Sequence, residues 1–414
     1  MAEEASARRL HGLWRHADFM RLWAAAGISA AGSQVTLLAL PLTAILVLHA
    51  TPFEVAALSM AVTVPNLALG IAAGAWLDRV RRRPVMVAAD LGRAVVLSSV
   101  PLTYAFGAVS LPQLYAVALV SGSLTVLFEI ASQAYLPSVV RRTQLVEANA
   151  KLQGVTVAAQ AAGPSIGGAL VALVSAPVAI LADAASFVVS GVLIGSIAGR
   201  HEFQQPRSAV TSLRRELRDA ASYTLSDRYL RPLLLAHALA NLALGLVWAI
   251  VIVYAVRVLG LAAATIGVIL SLGHIGGFAG AVFARRIAQR VGLGRVVVGS
   301  FFLFGPATLL LASATRNTAI VFVSVGWILE SLARSLYSVS ATSVRQALVP
   351  ERLQARLSGF LATAGTGAFP LGTLLGGALA GAFGLRQAMA VAAAASFLPF
   401  VAVAASPVRS LRTL

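Results

Sequence analysis

Two acidic residues, Glu330 and Asp183, stand inside long apolar runs of a sequence that has only 15 Asp and Glu among its 414 residues. A charge is costly to bury in hydrocarbon, so an acid in such a run is either paired or a group that takes up and releases a proton. Glu330 is the first candidate for that proton-binding role and Asp183 the second. Arg334 follows Glu330 by one helical turn, and an i, i+4 ion pair there would keep the carboxyl ionised and make it structural instead. Asn66, Gln34, Gln160, His237 and His274 are polar groups that hydrogen bonds between helices account for, His274 being more in keeping with packing than with a proton relay. Trp248, Trp327, Asn241 and Arg334 are candidates to line a cavity. There is no cysteine, no phosphate-binding loop, no metal-ligand cluster and no catalytic triad. Disulfides, ATP hydrolysis and covalent catalysis therefore have no support, and neither cofactor nor metal is expected.

The elements that must position these residues are membrane spans. Hydrophobic residues make up 58% of the chain and charged ones 11%, with a mean hydropathy of +0.85, too apolar to cover a globular surface. Apolar blocks of about 20 residues or more, the length that crosses a hydrocarbon core of ~30 Å, recur twelve times. They run at Phe19–Leu48, Phe53–Leu77, Pro84–Phe106, Leu111–Leu136, Gln153–Val174, Pro177–Ala198, Leu230–Val256, Leu261–Ala284, Val296–Ala314, Asn317–Thr342, Leu357–Phe383 and Gln387–Ala405. The expected fold class is an all-α integral membrane protein of twelve transmembrane helices, whose first helix is too long and too acidic at its start to be a cleaved signal. Of the 32 basic residues, 27 lie in or beside the N-terminus, the even loops and the C-terminus, and three lie in odd loops. By the positive-inside rule both termini are cytoplasmic in a cell inner membrane or plasma membrane. The net charge of +17 is thus topology, and no nucleic-acid partner is expected.

The longest polar stretch, Arg200–Arg231, divides the spans six and six. The expected organisation is a six-helix half over 1–199, a cytoplasmic linker over 200–229 and a second six-helix half over 230–414. Internal matches support a duplication: Gln133-Ala134-Tyr135-Leu136-Pro137 with Gln346-Ala347-Leu348-Val349-Pro350, Gly167-Gly168-Ala169-Leu170 with Gly376-Gly377-Ala378-Leu379, and Ala184-Ala185-Ser186-Phe187 with Ala394-Ala395-Ser396-Phe397. Their offsets are 213, 209 and 210. Parallel repeats of this kind hold their substrate between the halves near the midplane. Within the linker, Leu213, Leu217, Ala220, Ala221 and Leu225 recur at helical spacing with charges elsewhere, which suits either a helix lying on the cytoplasmic leaflet or a packing spacer.

The loop after the second span reads Gly74-Ala75-Trp76-Leu77-Asp78-Arg79-Val80-Arg81-Arg82-Arg83. It resembles the G-x-L-A-D-R-x-G-R-K/R motif of the major facilitator superfamily, with Gly74, Asp78, Arg79, Arg82 and Arg83 matching and Arg81 in place of the second glycine. A small residue at Gly74 permits close helix approach, while Asp78 and the arginines can make charge-assisted bonds that latch one conformation. The resemblance implies an acidic partner on the fourth span, for which Glu129 is the candidate. Asp90 and Arg93, read as close to the cytoplasmic side, join the same latch. In the second half Gly280 and Arg285 correspond to Gly74 and Arg79, but Ala284 stands where Asp78 would be, so the latch should be asymmetric.

The fifth span carries Ala159-Gln160-Ala161-Ala162-Gly163-Pro164-Ser165-Ile166-Gly167-Gly168. This is similar to the superfamily's antiporter motif g-x-x-x-G-P-x-x-G-G through Gly163, Pro164, Gly167 and Gly168, with Ala159 replacing its first glycine. The motif implies efflux. Its small residues allow close packing and Pro164 removes one backbone bond, giving a pivot. Asp18-Phe19, Arg21-Leu22-Trp23, Phe128–Asn149 and Asp183-Ala184-Ala185-Ser186-Phe187 resemble the drug-antiporter branch that includes macrolide and enterobactin exporters. No arginine occupies Leu114–Leu127, where many of the superfamily's antiporters carry one. The resemblance implies a monomeric efflux pump, of the multidrug resistance kind, that exports a small amphipathic or apolar compound by proton antiport, its partners being that small molecule, protons and membrane lipid. An uptake symporter of the same fold and a non-transporting membrane sensor or scaffold are the alternatives.

Overall fold

A computed structural model describes residues 12–77, 79–198, 213–349, 354, 357, 360, 364, 365 and 367–410. Every regular element among them is helical. The first six long helices are α1 (Ala17–Leu46), α2 (Pro52–Leu77), α3 (Arg82–Ala105), α4 (Leu111–Val139), α5 (Leu145–Val174) and α6 (Ala176–Gly195). An amphipathic helix, α7 (Leu213–Ser226), follows at the position expected from the linker's spacing. Beyond it come α8 (Leu230–Arg257), α9 (Ala263–Val291), α10 (Leu293–Ser313), α11 (Ala319–Leu348), α12 (Ala368–Phe383), α13 (Leu385–Ala395) and α14 (Leu398–Ala404).

Eleven segments among the described residues are long and apolar enough to cross a membrane. The eleventh block of the sequence is described mainly as the 16-residue helix α12, because most of its first half falls outside the described residues. The last block is one span in length but two helices in detail. α13 stops at Ala395 and α14 restarts at Leu398 with Pro399 in its first turn, as expected where a proline has no N–H to give the preceding turn.

The chain forms two compact units, one of Met1–His49 with Ala61–Pro206 and one of Ala50–Met60 with Arg207–Leu414. In the first unit α1 packs against α5 and α6, and α3 packs against α4 and α6. Gly122 brings α4 onto α2, for a Cβ there would lie 2.7 Å from the Val62 carbonyl oxygen. In the second unit α8 packs against α12 and α13, α10 against α11 and α13, and α9 against α11. The turn from α5 to α6 passes through Ser175 at φ 92° and ψ 158°, and that from α12 to α13 through Gly384 at φ 89° and ψ 162°. That region is essentially reserved for glycine, so Ser175 is strained where Gly384 is at ease.

Candidate functional site

Helices α8, α10 and α11, with Ser396 and Pro399 at the α13–α14 break, wall a cavity of about 90 Å³ inside the second unit. α8 contributes His237 and Asn241, α11 contributes Trp327, Glu330, Arg334 and Tyr337, and α10 closes the apolar side with Phe304 and Thr308. The α11 residues recur at intervals of three and four, so one face of a helix presents them all. Glu330 is 8% exposed, and Arg334 donates to its Oε2 at 2.6 Å. The i, i+4 pair that the sequence allowed is therefore made, and its two ends differ: the arginine side chain is 43% exposed and the glutamate side chain 11%.

Aromatic contacts hold the rest of the wall. Tyr337 stacks on the His237 ring at 5.6 Å and packs on Phe301 at 4.4 Å. Asn241 donates to the His237 carbonyl oxygen at 2.9 Å, which fixes its amide on the same face of α8. Of the four cavity candidates read from sequence, Trp327, Arg334 and Asn241 line the space. Trp248 instead supports the wall, edge-on to Trp327 at 5.4 Å. The sequence accounts for His237 by hydrogen bonding between helices and does not single out Tyr337. Their signal was the helical spacing to Asn241 and to Arg334, and it gains meaning only once α8 and α11 face each other.

The first unit holds its own buried charges. Arg93 bonds Asp90 one turn earlier and donates to Thr125 Oγ1 of α4 at 3.3 Å. Its guanidinium lies 4.6 Å from the Phe128 ring centroid and 3.9 Å from that of Phe187, so α4 and α6 sandwich it between two π faces. Asp90 also accepts from Ser190 Oγ of α6 at 2.7 Å. Asp183 is 1% exposed, accepts from Ser186 Oγ at 3.2 Å, and makes no salt bridge among the described residues. Gly32 of α1 abuts it, since a Cβ there would stand 2.7 Å from Asp183 Oδ1. Glu129, the expected acidic partner of the loop, is exposed on α4 and makes no salt bridge among the described residues. Arg93 is the twelfth of 24 residues in α3, midway along the helix.

Asp78 lies outside the described residues, and Gly74 is in the last turn of α2. Arg79 is exposed in the turn that follows. Arg82 donates to the Ala134 carbonyl of α4 at 3.2 Å, and Arg83 donates to the Ile194 carbonyl at 3.2 Å and to that of Gly195, both at the end of α6. Arg83 thus caps the C-terminus of α6, where the backbone carbonyls are unsatisfied and the dipole is negative, while Arg82 reaches a carbonyl five residues inside the end of α4. In the second unit Ala284 is buried and Arg285 exposed.

The glycines of the fifth span do steric work. A Cβ at Gly163 would overlap the Gln34 stem of α1, and one at Gly167 would stand 3.0 Å from Val35 Cα. Pro164 and Gly168 are buried beside them and Ala159 is half-buried, in a helix that runs unbroken from Leu145 to Val174. No group of three His, Cys, Asp or Glu among the described residues is arranged to hold a metal.

Comparison with known proteins agrees with this architecture. The family described as Transmembrane secretion effector matches residues 12–413. The uncharacterized MFS-type transporter YfiS of Bacillus subtilis (strain 168) is 28% identical over 185 residues, 42% of this chain and 41% of that protein, so the match spans less than half the length of that relative. Among solved structures, a variant of the nucleoside transporter NupG superposes with a TM-score of 0.78 at 12% identity, covering 94% of this chain and 99% of that one. A bacterial homologue of the iron transporter ferroportin, in its inward-facing state, superposes with a TM-score of 0.74 at 22% identity, covering 94% and 98%. The chain belongs to the Transmembrane secretion effector family of major facilitator superfamily transporters, and is a multi-pass membrane transport protein rather than an enzyme.

Proposed function

We propose that the protein exports a small amphipathic or apolar compound in exchange for protons, by alternating access between two six-helix halves that are copies of one unit. The observation that carries this reading is Glu330, a buried carboxyl in a cavity wall: the pair that would make it structural is formed, but its partner Arg334 is nearly half exposed, so the arginine can be held by solvent when the carboxyl takes a proton. A proton arriving at Glu330 dissolves the pair with Arg334 and its loss restores it, so the cavity wall has two charge patterns; a substrate held by the deprotonated wall is displaced when the proton arrives, which is what exchange requires. The apolar and aromatic walls suit a ligand whose surface is largely hydrocarbon.

Several features favour two copies of one unit with cytoplasmic termini. The packing of the first, third and fifth to sixth spans recurs among the corresponding helices of the second unit. The paired turns at Ser175 and Gly384 are 209 residues apart and share one unusual backbone conformation. Gly167 meets α1 as Gly376 meets α8, where a Cβ would stand 2.7 Å from the Leu246 carbonyl oxygen. The bias of basic residues supports the orientation, and α7 has the amphipathic pattern of a helix on the cytoplasmic leaflet. Asp183 is the second proton-binding candidate, a buried acid without a salt bridge among the described residues.

Inverted membrane vesicles acidified inside are expected to accumulate a fluorescent lipophilic dye. Glu330→Gln is expected to abolish that proton-driven uptake while sparing downhill exchange of the dye. Proton coupling at the wild-type level in this variant would remove Glu330 from the mechanism and make Asp183→Asn the next variant, and no flux in either gradient would sink export itself.

A further inference from the structure

Parallel helices α9 and α11 touch along a stripe of glycines. Cβ atoms at Gly273 and Gly276 would overlap Trp327 and the Ile328 carbonyl, and one at Gly280 would stand 2.7 Å from the Leu332 carbonyl oxygen. One turn further on, the α9 residues become large, and the two helices enclose a groove of about 350 Å³, within the ~300–1,000 Å³ range of ligand pockets. Its walls are Phe283 and Ile287 of α9 with Leu332 and Leu336 of α11. Arg286 and Arg290 of α9 also line it. They are one turn apart on one helix face, with ~6 Å of rise between them.

Neither arginine has an ion-pair or hydrogen-bond partner among the described residues. In the first unit, by contrast, Arg82 and Arg83 give their donors to backbone carbonyls of α4 and α6. The second unit therefore keeps two exposed positive charges, unpaired among the described residues, at the edge of an apolar slot, at the arginine-rich end of a span that the positive-inside rule assigns to the cytoplasmic leaflet. A soluble phosphate would answer the charges and leave the slot empty. A neutral lipid would fill the slot and leave the charges unanswered.

The geometry points to a binding site for an anionic glycerophospholipid, its phosphate held between Arg286 and Arg290 and an acyl chain lying along Phe283, Ile287, Leu332 and Leu336. The lipid fills the seam between α9 and α11, next to the helix that carries Glu330 and Arg334. The site does not depend on the transported substrate or on proton coupling.

The test is native mass spectrometry of the purified full chain from detergent supplemented with phosphatidylglycerol, cardiolipin or phosphatidylcholine. The anionic lipids are expected to remain bound and phosphatidylcholine to be lost. Arg286→Gln/Arg290→Gln is expected to retain phosphatidylglycerol roughly thirtyfold more weakly, equivalent to about 1 kcal/mol for each arginine removed near an anionic lipid. Arg285→Gln, adjacent but outside the groove, is expected to behave as wild type. Displacement of the lipid by inorganic phosphate, equal retention of phosphatidylcholine by the wild-type protein, or unchanged retention in the double variant would each overturn the assignment. The wild-type headgroup comparison decides the matter even if the double variant is not stable.

Discussion

Arg93 shows how much of one residue's environment comes from elements far away in sequence. Its bond to Asp90 is local, three residues back on the same helix, although by sequence both residues are assigned to the loop latch rather than to each other. The rings above and below it come from positions 128 and 187, and Ser190 reaches Asp90 from α6. Removing one member of a buried pair leaves the other charge without compensation, at a cost of about 3–5 kcal/mol. Arg93→Met is therefore expected to lower stability by about that amount, and Asp90→Asn/Arg93→Met to recover most of the loss, read as thermal unfolding of the purified protein. If the double variant is no more stable than the single one, the pair is not what Arg93 provides. The Glu330 pair obeys the same local rule, and its spacing was legible while its cavity was not.

Among elements, α5 illustrates why small residues say more than hydropathy in this chain. Gly163 and Gly154 lie on the same helix, yet a Cβ at Gly163 would overlap Gln34 of α1 whereas one at Gly154 would meet nothing within 4 Å. Gly163→Ala is expected to destabilise by about 1–3 kcal/mol through overpacking, and Gly154→Ala to stabilise by about 0.5–1 kcal/mol through helix propensity. Unfolding of the two variants side by side checks the contrast, and equal effects would mean that α1 and α5 are not in contact at Gly163. The sequence singled out Gly163 through the motif it resembles. That Gln34 is the residue it faces required the packed helices.

At the scale of the whole chain, the natural absence of cysteine offers a clean background for mapping topology. Arg316→Cys and Arg386→Cys, both in odd loops, are expected to react with a membrane-impermeant maleimide in intact cells. Arg295→Cys and Arg409→Cys are expected to react only after the cells are permeabilised. The opposite pattern would invert the orientation inferred from arginine placement. The spans themselves were readable because lipid demands long apolar helices, and most described helices begin and end within a few residues of the blocks marked by hydropathy. The last block is an exception, for its break before Pro399 is a backbone event inside an uninterrupted apolar run.

From the one-dimensional chain follow the membrane as solvent, the extent of the spans, the linker helix, the local spacing of Glu330 and Arg334, and the family motifs. Each depends on composition or on contacts within a few residues, which periodicity records directly. The cavity of the second unit, the sandwich around Arg93 and the arginine-lined groove between α9 and α11 arise from which face of each helix meets which neighbour. In a soluble protein the polar stripe of a helix marks its outer face, but here lipid and core are both apolar, and that mark is missing from nearly every span. Packing of glycines against carbonyls and of rings against buried charges makes the choice instead, and those partners lie tens to hundreds of residues apart.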